Sequence, residues 1–101
     1  MKKRRFMLTD LEDRALAACD DAYLEATIAR EILSSWYGRE IRFRELRSIY
    51  ARLVGLGLLR VYAQRNGRAI STELRGQRTN ALSVRATSKG RQYLGWKRHV
   101  V

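Results

Sequence analysis

Arginine carries most of the potential chemistry in this sequence, and its densest run lies between positions 42 and 52. The guanidinium groups of that run belong to Arg42, Arg44, Arg47 and Arg52. A guanidinium group can donate two parallel hydrogen bonds to a phosphate or to the acceptor edge of guanine. Glu45 is the only acidic residue in the run. The run therefore predicts contact with a polyanion; the alternative is that its arginines only solvate an exposed helix face.

The charge of the whole chain favours a polyanionic partner. The chain has 101 residues, with 21 Lys and Arg against 10 Asp and Glu, a net charge of +11 and a pI near 10.9. Segment 1–5 carries +4, segment 6–41 carries −5 and segment 42–101 carries +12. Such a balance is typical of proteins that bind nucleic acid or an anionic surface. No stretch approaches the roughly 20 apolar residues of a membrane span. A membrane-surface role would require one strongly amphipathic basic helix, whereas the positive charge here is spread along the chain. We therefore expect nucleic acid and no membrane partner.

A helix is expected to position these arginines. Four apolar residues occupy positions i, i+3, i+4 and i+7 of one buried stripe: Leu46, Ile49, Tyr50 and Leu53. The stripe predicts a helix over 42–56. A turn of about 100° per residue places Arg44, Ser48 and Ala51 on the outer face, with Arg47 and Arg52 on its flanks. Small residues allow close approach to base edges, so the expected base contacts are Arg44, Arg47, Ser48 and Ala51. The expected phosphate contacts are Arg42 and Arg52.

The glycines after this helix, Gly55 and Gly57, raise the alternative of a nucleotide-binding turn. A dinucleotide fingerprint needs a strand before its glycines and a third glycine after them, and position 60 is Arg60. Gly57 instead lies where a helix commonly ends with a left-handed residue. We therefore expect a helix end here, and no cofactor.

Three further helices are predicted. Thr9 and Glu12 have the spacing of a capping box, which predicts a first helix over 10–20. The apolar residues of LEATIAREIL predict a second helix over 24–33, and SSWYGRE predicts a break after it. Thr87 can cap a last helix, SKGRQYLGW.

Two alternating apolar segments, 58–64 and 81–86, predict strands. The basic segment between them contains Asn66-Gly67, a strong signal for a tight turn. Two pairings stay open: a hairpin that turns at Asn66-Gly67 with a third strand at 81–86, or one long hairpin with a mobile tip. The predicted fold class is α+β.

This order resembles a winged helix-turn-helix domain, with three helices, a β-hairpin wing and a short C-terminal helix. ATIAREIL looks like the first helix of the helix-turn-helix pair, and LVGLGLLRVY resembles the L-x-x-x-G-L exit of a recognition helix into the wing. RATSKGRQYL is similar to the L-T-x-x-G-x-x-x-L phrase of bacterial regulators of the PadR and MarR type. The resemblance covers about 9–95. It implies a DNA-binding domain over 9–96, between a basic N-terminal arm at 1–8 and a C-terminal tail at 97–101.

The wing and the arm add basic residues that could reach the DNA backbone. In the wing these are Arg65, Arg68, Arg75 and Arg78, and in the arm they are Lys2, Lys3, Arg4 and Arg5. The wing arginines are expected along the backbone or in the minor groove, against the alternative of a mobile surface loop. For the arm, contact with DNA and a purely solubilising tail both stay open.

The expected function is sequence-specific binding of double-stranded DNA by a small prokaryotic or viral transcriptional regulator that acts by operator occupancy. The alternatives are an architectural factor that bends DNA, and a protein-interaction adaptor that would use the acidic surface of 6–41. Catalysis is not expected, because His99 and Cys19 share no metal-ligand spacing and the serines have no base in view. We expect a cytoplasmic protein that is nucleoid-associated when bound, and leave open a homodimer through the first helix or GWKRHVV.

Overall fold

The computed structural model describes residues 7–19, 24–65 and 68–100. Over these residues the chain is α+β, with four helices and a four-stranded antiparallel sheet, which confirms the predicted class. The predicted arm residues Lys2, Lys3, Arg4 and Arg5 lie outside the described residues.

The first helix, α1 (Asp10–Ala18), starts at the predicted capping box. The Thr9 hydroxyl accepts a hydrogen bond from the Glu12 amide at 3.1 Å, and the Glu12 carboxylate accepts one from the Thr9 amide at 2.9 Å. The two side chains thus satisfy amide donors that lack partners at a helix start. The helix ends at Ala18, two residues earlier than predicted.

The second helix differs from the prediction at both ends. Leu24–Glu25 forms a short strand, β1, and helix α2 covers Ala26–Tyr37. The predicted break within SSWYGRE is wrong over its first four residues. The Ser34 hydroxyl accepts from the Ile41 amide at 2.9 Å, beyond the helix end, so this serine stabilises the turn that follows instead of interrupting the helix. Gly38, with a φ of 79°, ends the helix.

The third helix, α3 (Phe43–Gly55), agrees with the predicted 42–56 to within one residue at each end. Its buried residues are the predicted stripe: Leu46, Ile49, Tyr50 and Leu53. At its end, the Gly57 amide donates to the Val54 carbonyl at 2.9 Å. The Leu58 amide donates to the Leu53 carbonyl, also at 2.9 Å. With Gly57 at a φ of 77°, this is a Schellman motif, which confirms that the glycines end a helix.

The remaining strands are β2 (Leu59–Arg65), β3 (Arg68–Ser71) and β4 (Leu82–Ala86), and the sheet has the order β1-β4-β2-β3. Strands β2 and β3 form a hairpin around 66–67, while β2 also pairs with β4. This confirms the first of the two predicted pairings. A short 3₁₀ turn at Thr79–Ala81 leads into β4.

The last helix, α4 (Ser88–Val100), extends four residues past the predicted 88–96. The core lies between the helices and one face of the sheet, and its fully buried side chains include Leu16, Leu33, Leu46, Leu53, Leu58, Val61 and Val84. Cys19 belongs to this core, and its buried thiol donates to the Ala15 carbonyl at 3.4 Å.

A hydrogen bond between Tyr93 and Asp13 joins α4 to α1, at 3.1 Å from the phenol oxygen to the carboxylate. Desolvation, reinforced by the negative charge of Asp13, raises the pKa of Tyr93 to about 12. The fold therefore favours the neutral phenol, whose unfolded pKa is about 10. The stability that this group contributes is fully present below pH 10 and is lost as the pH rises through 12.

We expect Tyr93→Phe to remove one phenol that ionises near pH 12, which a spectrophotometric titration at alkaline pH would detect. The decline of unfolding free energy between pH 10 and 12 should also be shallower in the variant. An unchanged titration curve above pH 11 would show that Tyr93 ionises like an exposed tyrosine.

Candidate nucleic-acid interface

The outer face of α3 is open to solvent. The side chains of Arg44, Ser48 and Ala51 are all exposed there, as the helical spacing requires once the apolar stripe is buried. The Ser48 hydroxyl donates to the Arg44 carbonyl at 3.4 Å, which keeps it against the helix backbone. Among the described residues, Arg44 has no ion-pair partner. This face therefore presents one long cationic donor beside two small side chains.

Glu45, the only acid of α3, is neutralised from outside the helix. Both oxygens of its carboxylate accept hydrogen bonds from the Arg39 guanidinium, at 3.1 and 2.6 Å. This contact lowers the pKa of Glu45 and raises the pKa of Arg39. The Arg39 guanidinium also lies 5.4 Å from the centre of the Tyr37 ring. The acid is therefore already paired and does not offset the positive charge of Arg44.

Arg47, predicted from the sequence to contact bases, is engaged within the protein. Its guanidinium donates to the carbonyls of Leu74 and Gln77, each at 2.6 Å. A longer bond of 3.4 Å reaches the Thr79 hydroxyl. These bonds fasten the segment 72–79 to the flank of α3. Base contact by Arg47 stays untested, but its two terminal nitrogens are occupied in this conformation.

Arg52, predicted to contact phosphate, joins α3 to α1. Its Nε lies 3.0 Å from a carboxylate oxygen of Glu12, and its Nη2 donates to the Met7 carbonyl at 2.9 Å. The guanidinium is still about half exposed, at 46% of its side-chain surface. It therefore keeps surface for a phosphate while it holds Met7, three residues before α1, beside α3. Arg42, the other predicted phosphate contact on this helix, is exposed at the N-cap position of α3.

The predicted wing arginines are placed on the hairpin and on the loop that follows it. Arg68, at the start of β3, is exposed, and so are Arg75 and Arg78 in the loop. None of these three forms an ion pair with a residue that the structure describes. Arg75 follows Leu74 and Arg78 follows Gln77, the two residues whose carbonyls bind Arg47. The bonds of Arg47 thus place two more cations next to α3. The Arg65 side chain lies outside the described side chains.

Two contributions to this surface could not be predicted from the sequence: the neutralising role of Arg39 and the bracing role of Arg47. Arg39 and Glu45 are six positions apart across a helix start, a spacing with no regular signature. The partners of Arg47 lie 27 to 32 positions away, on a loop whose course the sequence does not indicate.

No group of three His, Cys, Asp or Glu side chains in the described part of the chain could hold a metal ion. In the described ranges, no helix has the length and apolar character needed to cross a bilayer.

Comparison with known proteins identifies no relative: no protein-family model, no curated protein and no solved structure matches this chain.

Proposed function

We propose that this protein binds double-stranded DNA as a winged helix-turn-helix domain, with α3 as the recognition helix and the β2–β3 hairpin and its following loop as the wing. The observation that carries the proposal is the outer face of α3, where Arg44 extends beside the small residues Ser48 and Ala51. An α-helix is about 10–12 Å wide and the major groove about 12 Å, so a helix with small outer residues can approach the base edges.

The proposal divides the contacts into two kinds. Arg44 reads a base by donating to both acceptors of a guanine, while Ser48 and Ala51 allow close approach. Exposed arginines around α3 bind phosphates without reading sequence: Arg42, Arg52, Arg68, Arg75 and Arg78. Arg47 is assigned to the wing attachment, because its donors are already engaged. The protein would regulate transcription by occupying an operator, in the compartment that holds the DNA.

The adaptor alternative is less well supported by the charges of segment 6–41. Three of its acidic side chains form ion pairs with arginines: Asp10 with Arg14, Glu12 with Arg52, and Glu40 with Arg30. The negative charge predicted to form a docking surface is thus partly neutralised within the fold.

Selection from a random duplex pool, at two salt concentrations, tests the proposal. We expect one enriched motif. Arg44→Gln should weaken binding to that motif by about 5- to 150-fold and relax selection at one base pair, since a bidentate contact contributes about 1–3 kcal/mol of discrimination. Arg75→Gln should weaken binding equally on all sequences and lower the salt dependence by about one phosphate.

Two outcomes would contradict the regulator. Binding without enrichment, weakened equally on all sequences by Arg44→Gln, would indicate an architectural factor. Absence of binding at low salt would contradict both DNA-binding functions. Arg60→Gln is the matched control, because it removes an equal charge from an exposed position of β2 that pairs with β4 and lies outside the part of β2 paired with β3.

A further inference from the structure

A second concentration of positive charge lies away from the outer face of α3. An open cleft of about 190 Å³ is formed where β2 begins and β4 ends, and its lining residues are Arg60, Arg85, Ala86, Thr87, Ser88 and Arg91. Three of the six are arginines, and none of the six is acidic. The proposed DNA contact uses none of these three arginines.

The sheet register brings the first two arginines together. Arg60 on β2 pairs directly with Arg85 on β4, next to the buried pair Val61 and Val84. Since successive side chains point to opposite faces of a strand, the two arginines share the face opposite the core. Like charges directly opposite each other on neighbouring strands repel and destabilise a sheet. An anion placed between the two guanidinium groups would be attracted by both.

Helix α4 supplies the rest of the cleft. The Arg91 guanidinium donates to the Ala86 carbonyl at 3.2 Å, which anchors it beside the end of β4. Thr87 and Ser88, at the start of this 13-residue helix, also line the cleft. The Thr87 hydroxyl already donates to the Gly57 carbonyl, so it does not serve as a donor to the anion. The N-terminus of α4, the positive end of its helix dipole, thus lies at the cleft and favours negative charge in it. Guanidinium groups on two strands and one helix thus face one space.

The size of the cleft limits the ligand. At roughly 30 Å³ per water molecule, it has room for about six waters. That is more than a single phosphate group needs and less than the 300 Å³ or more of a site for a drug-sized molecule. Two linked phosphates fit this range, and arginine forks match their oxygens in pairs.

The position of the cleft separates it from the proposed DNA contact. The pair Leu59 and Ala86 closes the β2–β4 ladder at the end remote from β3. From Arg60 to Arg65, the last residue of β2, the strand extends about 17 Å at 3.4 Å per residue. A duplex held by α3 and by the paired ends of β2 and β3 would therefore approach the other end of this ladder.

We propose that this cleft is an anion site for the phosphate groups of a small, freely diffusing molecule that carries a diphosphate. The proposal does not depend on the DNA-binding function. Inorganic pyrophosphate is the probe, titrated by calorimetry at an ionic strength held constant with sodium chloride. We expect saturable binding of one pyrophosphate per chain. Arg60→Gln, an exposed position, should weaken that binding at least tenfold, and so should Arg91→Gln.

Arg75→Gln controls for general charge, because it removes the same charge from the loop beside α3. It should leave pyrophosphate binding within twofold of the unsubstituted protein. Equal weakening by Arg75→Gln, or no saturable binding by the folded protein, would overturn the proposal.

Titration with duplex DNA distinguishes the two possible sources of the bound phosphate, a small phosphorylated ligand and the DNA backbone. We expect Arg60→Gln to reduce pyrophosphate binding but not duplex binding, and Arg44→Gln to do the reverse. If Arg60→Gln weakens duplex binding as strongly as Arg44→Gln does, and pyrophosphate displaces the duplex, the cleft belongs to the DNA surface and the small-molecule site is refuted.

Discussion

Replacing Gly90 with alanine is expected to lower the free energy of unfolding by about 3 kcal/mol, at the upper end of the usual cost of overpacking. A Cβ atom at this position would overlap the Leu58 carbonyl oxygen and would lie 3.4 Å from the Ala86 Cβ. The carbonyl oxygen belongs to the backbone, which cannot rotate away as a side chain would. Helix α4 would have to move away from the end of α3.

The corner at Gly57 and Leu58 shows why such a movement is costly. The Thr87 amide donates to the Leu58 carbonyl at 2.9 Å, and the Thr87 hydroxyl donates to the Gly57 carbonyl at 2.7 Å. That hydroxyl also accepts from the Gly90 amide at 3.0 Å. The end of α3, the start of β2 and the start of α4 therefore meet within these few bonds, and a displaced α4 would strain them together.

Gly95 provides the control within the same helix, because a Cβ there meets nothing within 4 Å. Gly95→Ala should raise stability by up to about 1 kcal/mol through helix propensity alone. Urea unfolding of both variants measures the difference, with equal m-values as the check on two-state behaviour. If Gly90→Ala and Gly95→Ala stabilise the protein to the same degree, α4 is not closely packed against Leu58.

The same corner shows what local sequence patterns can predict. Gly90 stands in the phrase RATSKGRQYL, whose threonine and glycine have separate physical reasons here: one caps α4 and the other makes room for the Leu58 carbonyl. The left-handed end of α3 at Gly57, the capping box of α1 and the buried stripe of α3 were all predicted from residues within one or two turns of one another. Such features depend on local chemistry, so a single sequence contains enough information for them.

Features that depend on distant pairing could not be predicted in the same way. Leu24 and Glu25 have the composition of a helix start, yet they form β1, because Val84 and Ser83 pair with them across the chain. Tertiary contact of this kind overrides a weak local preference. Segment 58–86 allowed two pairings because either one would bury its alternating apolar residues.

The same distinction between local and distant features applies to the residues of the candidate site. The spacing of the buried stripe correctly places Arg44, Ser48 and Ala51 on the exposed face of α3. It places Arg47 and Arg52 only on the flanks, and what covers a flank depends on other segments. Arg52 binds the Met7 carbonyl 45 positions earlier in the chain, and Arg47 binds carbonyls about 30 positions later. In the sequence, an arginine that braces a loop is indistinguishable from one that awaits a ligand.

The two roles considered for Arg47, bracing the loop and contacting a base, predict different effects of its replacement on stability. We expect Arg47→Met to lower the free energy of unfolding by about 2 kcal/mol, because hydrogen bonds from a charged donor contribute about 1.5–3 kcal/mol and the Leu74 and Gln77 carbonyls would lose theirs. The matched control is Arg44→Met on the exposed face, which should change stability by no more than about 0.5 kcal/mol. Urea unfolding compares the two.

Local opening gives the more specific measurement. The Gln77 amide donates to the Leu74 carbonyl and the Ala81 amide donates to the Arg78 carbonyl. Hydrogen exchange of these two amides therefore measures local opening of the loop that Arg47 holds. In Arg47→Met these amides should exchange with solvent faster, while amides in the β2–β4 ladder keep their protection. Arg47→Lys should restore little of the protection of the Gln77 and Ala81 amides, because a single ammonium lacks the planar fork that reaches both carbonyls.

Duplex binding then distinguishes the two roles of Arg47. If it braces the loop, Arg47→Met weakens binding on every sequence, because Arg75 and Arg78 are no longer held beside α3, and the selected motif stays the same. If it contacts a base, stability and amide exchange stay unchanged and selection is relaxed at one base pair. We expect the first result, since the Arg47 donors lie 2.6 Å from two carbonyl oxygens and would have to leave both to reach a guanine.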